Sequence, residues 1–379
     1  MKIGIDARPL SGLRAGIYRV VVNILQELER TEARNEYYLY SHRVLDLALP
    51  NSRWTRRGGA QRPLLPGSLW FQTAARSMIL RDRLDVFWGT AHLLPLGLPP
   101  QVGKVVSVYD LVWRLYPATV DRLNCNMHRL FAEKSIGRAD RVVCCSERTA
   151  GDVEKLLGVP RSRIQVISPG VLPDYWPREP RSAAQYIARK FGTGEDYVCT
   201  VGTIEPRKNL ITLIHAMKIL TERGGFSSQL LIAGGTGWRN SDIYATAHKL
   251  GLDEKAVKFL GYVPEEDLPL LYSGARVFVF PSLYEGFGLP LIEAMACGVP
   301  VVASNVSSIP EVVNDAAMLV APHGAEEFAD AICHVMGDES LRRALVERGI
   351  QRARHFRYDV AARKVLRVFE EAAAEARLR

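Results

Sequence analysis

Glu285 and Glu293 bracket a glycine-broken turn in the segment PSLYEGFGLPLIEAMACGVPVVAS, Pro281 to Ser304. Gly286, Gly288 and Pro290 stand between them. A helix beginning near Leu289 carries Pro290 in its first turn, where proline gives up no hydrogen bond. Glu285 then lies on the loop before the helix, and Glu293 in the helix's first turns. Glycines at 286 and 288 admit unusual dihedrals and close approach, so the amides of Gly286, Phe287 and Gly288 are open to a ligand. A helix N-terminus attracts phosphate, yet a carboxylate at Glu285 repels a phosphate placed directly on it. The pattern suits a ligand that is part phosphate and part polyol, such as a nucleotide-sugar. Amides would take phosphate or sugar oxygens, and carboxylates would take hydroxyl hydrogens. A bare strand-to-helix junction is the plainer account, because the helix dipole alone favours a glutamate in a first turn.

A second segment, VGTIEPRKNL from Val201 to Leu210, places Arg207 and Lys208 at the start of the next helix. There, two cations and free amides could clamp a diphosphate; a solvated basic turn would read the same way. Both segments follow strands of one half of the chain, which makes their joint occurrence harder to dismiss than either alone.

The elements that must position these residues alternate. KIGIDA, NEYYLYS, DVFWGT, GKVVSVYDLV, DRVVCCS and IQVISPGV read as strands in the first half, with helices at GIYRVVVNILQELER, HRLFAEKSIGRA and after the cap-like Ser146. YVCTVG, SQLLIAGG, AVKFLGYV, RVFVFPS and PVVAS repeat the alternation in the second half. Each half should be a parallel sheet covered by helices, with its ligand at the carboxyl ends of the strands. A length of 379 residues is too long for one comfortable core. The expected division is a first domain over 1–175, a second over 176–355, and a terminal helix over 356–379 packing back on the first.

Composition is ordinary for a globular protein, 47% hydrophobic and 24% charged, with a net charge of +8 that favours anionic partners. No zinc spacing, RNP-like strand or long basic helix marks nucleic acid as that partner. The six cysteines form no C-x-x-C pair and read as buried free thiols. Neither a cleavable leader nor a run of 18 apolar residues is present in the sequence, so a cytoplasmic location is expected.

The E-x7-E element Glu285–Glu293, EPRKN upstream of it, and GYVPEEDLPLLYSGARVFVFPS together resemble the retaining glycosyltransferases of the GT-B fold, family 4 type, and in particular bacterial mannosyltransferases of surface polysaccharide assembly. The resemblance covers nearly the whole chain. It implies two Rossmann-like parallel-sheet domains of α/β class facing across a deep cleft, the first for acceptor and the second for donor. It also implies roles. Arg207 and Lys208 would bind the donor diphosphate, Glu285 would lie by the donor sugar, Glu293 would hold the ribose, and backbone at Val263 would meet the base. The amides of Phe287, Gly288 and Leu289 resemble those that contact sugar or phosphate. In the first half, Ala15-Gly16-Ile17 resembles the family's first loop with one glycine missing, leaving Gly16 to approach the donor. Family members usually carry His-Asp where this chain has Tyr109-Asp110. Tyr109 would then donate to a sugar hydroxyl, or turn to the core and leave Asp110 as the polar group. His92 in FWGTAHLLPL is a further acceptor-side candidate, although a lone histidine is more often structural.

The implied reaction moves a hexose, mannose by preference, from a nucleoside diphosphate to a hydroxyl of a glycan or lipid-linked acceptor, with no metal or other cofactor required. A hydrolase would set two carboxylates across the sugar, roughly 5 or 9 Å apart, whereas Glu285 and Glu293 share one side of one domain. A nucleotide-sugar epimerase and a non-catalytic two-lobed sugar-binding protein are the competing accounts. The stretch from Arg53 to Arg83 interleaves Arg53, Arg56, Arg57, Arg62, Arg76, Arg81 and Arg83 with Trp54, Trp70 and Phe71 against the single acid Asp82. It reads either as a solvated loop and helix or as a surface for anionic headgroups on the inner face of the cell membrane.

Overall fold

The computed structural model describes residues 1–12, 16–32, 34–49, 52–60, 65–120, 125–126 and 128–379. The chain forms two compact units. The first comprises Met1–Leu115, Arg122–Gly170 and Arg357–Arg379; the second comprises Tyr116–Asp121 and Val171–Phe356.

The first unit is built on seven strands, β1 (Lys2–Asp6), β2 (Glu36–Arg43), β3 (Trp54–Ala60), β4 (Val86–Gly89), β5 (Gly103–Val108), β6 (Arg141–Cys144) and β7 (Ile164–Val166). All pair parallel, in the order β3-β2-β1-β4-β5-β6-β7. Central strands such as VFWG at β4 are buried along their whole length, as helices on both faces require. Ser146 caps the helix Glu147–Leu157, its hydroxyl accepting from the Thr149 amide at 3.0 Å, and Gly158 ends that helix in the left-handed conformation. The C-terminal helix Tyr358–Arg377 belongs to this unit. Phe369 packs against Trp88, and a Cβ at Gly103 would stand 2.7 Å from the Ala372 carbonyl, so the close approach of helix to sheet depends on that glycine.

The second unit has six parallel strands, β8 (Tyr197–Val201), β9 (Gln229–Ala233), β10 (Val257–Gly261), β11 (Val277–Phe280), β12 (Val301–Ser304) and β13 (Ala317–Val320), in the order β10-β9-β8-β11-β12-β13. Its core gathers Leu213, Ile214 and Met217 of helix Leu210–Glu222 with Phe328 and Ile332 of helix Ala325–Gly337 over the sheet. Both units are Rossmann-like, with the strand order reversing beside β1 in the first and beside β8 in the second.

Four local readings are corrected. Residues 54–60, expected as loop, form the edge strand β3, which pairs with β2 from Tyr37 onward. Arg207 and Lys208 do not open the following helix: they lie in a separate 3-10 turn, Pro206–Lys208, cut off by Asn209 at φ 55. His128–Ala132 is a π-helical turn ahead of the α-helix Glu133–Arg138, where one continuous helix was expected. Tyr116–Asp121, within the stretch expected for the first domain, clusters with the second unit.

The arginine stretch is largely tied down. Arg57 holds Asp82 through two nitrogens, at 2.9 and 2.7 Å. Arg53 pairs with Glu29 and Glu32, and the Trp54 indole donates to Glu29. Trp54 stacks on Tyr37, while Trp70 and Phe71 are buried. The aromatic groups expected at a membrane interface are therefore spent on packing. Arg56, which donates to the Leu47 carbonyl, and Arg76, Arg81 and Arg83 remain exposed, and Arg62 lies outside the described residues. Among the described residues no helix is long and apolar enough to cross a membrane.

Candidate active site

In the second unit the loops after β8 and β11 meet where the strand order reverses, the position at which open α/β sheets bind ligands. The loop after β9 presses on the loop after β8. A Cβ at Gly234 would fall 1.9 Å from the Gly202 carbonyl oxygen, and one at Gly237 would fall 2.8 Å from that of Ile204. Glycine at both positions lets the backbones touch. Asn209 knits the loops from the other side: its left-handed backbone aims Nδ2 at the Pro281 carbonyl at 3.0 Å and at the Pro322 carbonyl. The Leu283 amide closes the join on the Arg207 carbonyl at 2.9 Å.

This frame brings Glu285, Arg207 and Lys208 together. Arg207 Nη1 lies 2.9 Å from Glu285 Oε2 and donates to the Tyr284 carbonyl at 2.7 Å. Its Nη2 is held at 2.6 Å by Glu205, which is buried. Lys208 Nζ lies 2.5 Å from Glu285 Oε1 and 5.3 Å over the Phe280 ring. Burial pushes the Glu285 carboxyl up, but the charges of Arg207 and Lys208 outweigh it and bring it down to about 2. Glu285 is thus an anion at any ordinary pH. Its side chain is only 9% exposed.

The backbone around Glu285 is held as firmly. Its amide donates to Ser307 Oγ at 2.9 Å, and Ser308 Oγ donates to the carbonyls of Glu285 and Phe287 at 2.9 and 3.1 Å. Gly288, at φ 100, precedes the helix Leu289–Ala296, which carries Pro290 in its first turn. Gly286 and Phe287 are buried, with Phe287 edge-on to Phe356. Glu293 is buried inside that helix, its Oε2 accepting from Tyr272 OH at 3.0 Å. Val263 follows β10 and is buried, beside a Tyr262 ring that is 64% exposed.

In the first unit, the carboxyl ends of β1 and β4 meet at Thr90, whose hydroxyl donates to the Asp6 carbonyl at 2.6 Å. Gly16 is exposed at the start of helix Gly16–Thr31; Ala15 lies outside the described residues. Tyr109 is half-buried and lines a largely apolar pocket with Trp88, Val20, Ile24 and Val143, and burial pushes its pKa up. Asp110 stays half-buried, with Oδ1 accepting from the Val112 amide at 3.2 Å. His92 is buried at φ 61, its amide donating to the Ser107 carbonyl. Its ring meets Trp113, His128 and Tyr109 edge-on, at 5.1, 5.7 and 5.9 Å.

Burial drives His92 from its ordinary 6.5 to about 4, only partly offset by the Asp110 charge, and lowers His128 as well. Between those two pH values the unfolded His92 binds a proton that the folded one refuses. The resulting stability is complete above pH 6.5 and lost as pH falls toward 4. Unfolding midpoints followed across this range should decline with acid. They should decline less steeply in His92→Asn, asparagine being tolerant of the left-handed backbone. Parallel declines in both proteins would mean that His92 does not titrate in this window.

Sequence reasoning did not single out Glu205, Asn209, Tyr272, Ser307 or Ser308. Glu205 and Asn209 flank the two cations within EPRKN, and a carboxylate beside a basic pair is a legible signal, whereas the left-handed backbone of Asn209 is not. Ser307 and Ser308 carry none, because their partner is a loop backbone distant in sequence. Among the described residues, no group of three or more His, Cys, Asp or Glu could hold a metal ion.

Two Rossmann-like units and a cation pair clamped on a carboxylate at a switch point are the arrangement expected of a GT-B glycosyltransferase. Family comparisons agree. The model for "Glycosyl transferases group 1" matches residues 186–352, and that for "Glycosyltransferase Family 4" matches residues 14–175. The chain is 34% identical over 292 residues to the O-antigen chain mannosyltransferase B of Escherichia coli, covering 77% of this chain and 76% of that protein. It is 30% identical over 221 residues to the serotype-specific mannosyltransferase WbdA of Escherichia coli, 58% of this chain but only 27% of that longer protein. Among solved structures, the sucrose-phosphate synthase of Thermosynechococcus elongatus superposes with a TM-score of 0.77 at 20% identity, over 99% of each chain, and so shares the fold. The chain belongs to this glycosyltransferase family, related to bacterial mannosyltransferases of surface polysaccharide biosynthesis. It is a hexosyltransferase that moves a sugar from a nucleoside diphosphate sugar to an acceptor hydroxyl.

Proposed function

We propose that the enzyme transfers mannose from GDP-mannose, with retention at the anomeric carbon, to a hydroxyl of a glycan or lipid-linked acceptor in cell-surface polysaccharide assembly. The observation that carries the reading of the site is Glu285 gripped by Arg207 and Lys208. The two cations face a carboxylate that a donor diphosphate can replace. On donor binding the phosphates draw Arg207 and Lys208 away, and Glu285 is released to take hydroxyls of the sugar. As the glycosidic bond breaks, negative charge grows on the leaving diphosphate. Arg207 and Lys208 stabilise that charge more than they stabilise the bound donor. The sugar turns oxocarbenium-like beside an anionic Glu285. The acceptor proton passes to the departing phosphate oxygen, which places bond-making on the leaving-group face and retains configuration.

The donor assignment rests on the names of the two mannosyltransferase relatives. Calorimetry with GDP-mannose and with UDP-, ADP- and dTDP-hexoses should rank GDP-mannose tightest by at least about tenfold, roughly 1.4 kcal/mol. A UDP-sugar binding more tightly by that factor would overturn the mannose assignment and leave the site reading in place. A location at the inner face of the cell membrane fits such an acceptor. The paired Arg53 and Arg57 are poor candidates for the headgroup contact, which leaves Arg56, Arg76, Arg81 and Arg83 among the described residues.

A further inference from the structure

The second unit contains one short piece of chain from far away in sequence. Tyr116–Thr119 leaves the stretch that builds the first unit and docks among the strand-end loops of the second. Its contacts fall at two places. Tyr116 OH donates to the Leu283 carbonyl at 3.2 Å, and its ring lies 5.4 Å from that of Tyr284. Three residues on, the Trp238 indole donates to the Thr119 carbonyl and Arg239 Nη1 donates to the Ala118 carbonyl. Leu283 and Tyr284 lie on the loop after β11; Trp238 and Arg239 lie on the loop after β9. These strands are the two neighbours of β8 in the sheet. A segment fastened to both loops therefore runs across the carboxyl end of β8, where Arg207 and Lys208 sit.

The attachment at Leu283 and Tyr284 reaches the site in one step. Tyr284 immediately precedes Glu285, and its carbonyl accepts from Arg207 Nη1 at 2.7 Å. Without Tyr116, the Leu283–Tyr284 backbone keeps the Leu283 amide bond to Arg207 but loses the hydrogen bond on the adjacent carbonyl and the ring packed on Tyr284. The loop carrying Glu285 then gains freedom, while Arg207 and Lys208 remain on their own 3-10 turn.

We propose that Tyr116–Thr119 is a strap over the donor site and that Tyr116 is a positioning residue, fixing the loop that carries Glu285. The inference rests on the role given to Glu285 above. It predicts a split between chemistry and binding. Tyr116→Phe keeps the ring and loses the hydroxyl donor, and should lower kcat about three- to tenfold, the range of one net hydrogen bond. Tyr116→Ala removes ring and donor together, and should lower kcat about ten- to a hundredfold, as expected for a catalytic group displaced by a fraction of an ångström to an ångström. Affinity for the free nucleoside diphosphate, measured by calorimetry, should not fall in either variant.

Turnover, diphosphate affinity and thermal unfolding are measured together on the full chain, with the donor sugar that binds tightest and Glu285→Gln alongside. The graded fall in kcat without a fall in diphosphate affinity supports the strap. Wild-type kcat in both tyrosine variants overturns it. So does a fall in kcat matched by an equal fall in diphosphate affinity, because Tyr116 would then act on donor binding. Should Tyr116→Ala fail to fold, Tyr116→Phe and Trp238→Phe, which loses the indole donor to Thr119, decide between these results. If Glu285→Gln itself turns over like wild type, the reading of the site has failed. If only the tyrosine variants do, the strap alone falls.

Discussion

Replacement of Glu285 by glutamine lowers turnover by an expected hundred- to thousandfold, about the cost of removing one preorganised electrostatic group from a transition state. The carboxylate is ionised with its pKa near 2, because Arg207 and Lys208 overcome the desolvation that would raise it. It therefore meets a developing positive sugar as a full charge, in a site where little water screens it. Glutamine keeps the size and one acceptor oxygen and loses only the charge. Alanine would be a poor test. It would strand Arg207 and Lys208 in a buried setting, and breaking a buried ion pair costs about 3–5 kcal/mol. The same carboxylate gives a stability signature. Its folded pKa is depressed from 4.5 to about 2, so its contribution is complete above pH 4.5 and disappears as pH falls through 2. Glu285→Gln should lack that part of the acid loss. Turnover within threefold of wild type, in a variant with normal unfolding, would remove Glu285 from the chemistry.

Much of this arrangement was legible in the sequence because it is local. Strand RVFVFPS, the glycines, Pro290 at the helix start and Glu293 one turn inside follow from periodicity and from what glycine and proline permit. The helix indeed begins at Leu289. The parallel sheets were legible for the same reason, as buried strands in a doubly covered sheet read as unbroken apolar runs. What stayed hidden is what tertiary contact decides. Trp54–Ala60 is rich in arginine and glycine and has no apolar alternation, so it did not read as a strand. It is one because it lies at the edge, where Arg57 can reach Asp82 and Trp54 can stack on Tyr37. Arg207 and Lys208 read as a helix start because they stand directly ahead of the apolar helical run that begins at Leu210. Asn209 in the left-handed conformation breaks the run, and an asparagine tolerates that backbone without announcing it.

The candidate site divides along the same line. That Glu285, Arg207 and Lys208 act together could be suspected from strand ends alone. That Glu285 binds both cations directly could not, because it depends on how two loops far apart in sequence are stitched by Asn209, Leu283, Ser307 and Ser308. Tyr109 shows the reverse case. The dipeptide Tyr109-Asp110 occupies a strand end, and the Tyr109 ring packs into a largely apolar pocket beside Trp88 and Val143 while the residue keeps partial exposure.

The pairing of Glu285 with both cations carries a second large effect, opposite in sign to the first. Arg207 and Lys208 are both engaged by Glu285, so a diphosphate must displace a carboxylate to reach them. Glu285→Gln should therefore bind the free nucleoside diphosphate more tightly than wild type, by about tenfold or more, since a like charge beside the phosphates has been removed. Lys208→Ala should weaken that binding about ten- to a hundredfold, the worth of one charge-assisted contact of roughly 1.5–3 kcal/mol. Arg207→Ala loses as much again in structure. Glu205 is buried with Arg207 as its ion-pair partner, and the Tyr284 carbonyl loses a donor, so the loop under Glu285 loosens along with the clamp. Arg207→Lys separates the two effects, because it keeps the charge and gives up the fork that spans Glu205, Glu285 and Tyr284 at once. Calorimetry on the single variants and on Lys208→Ala combined with Glu285→Gln gives the coupling directly. If Glu285 competes with phosphate for Lys208, the gain from Glu285→Gln shrinks once Lys208 is gone, and the two changes are not additive. Additive changes, or a Glu285→Gln protein that binds the diphosphate no better than wild type, would show that the carboxylate does not stand in the phosphate's place.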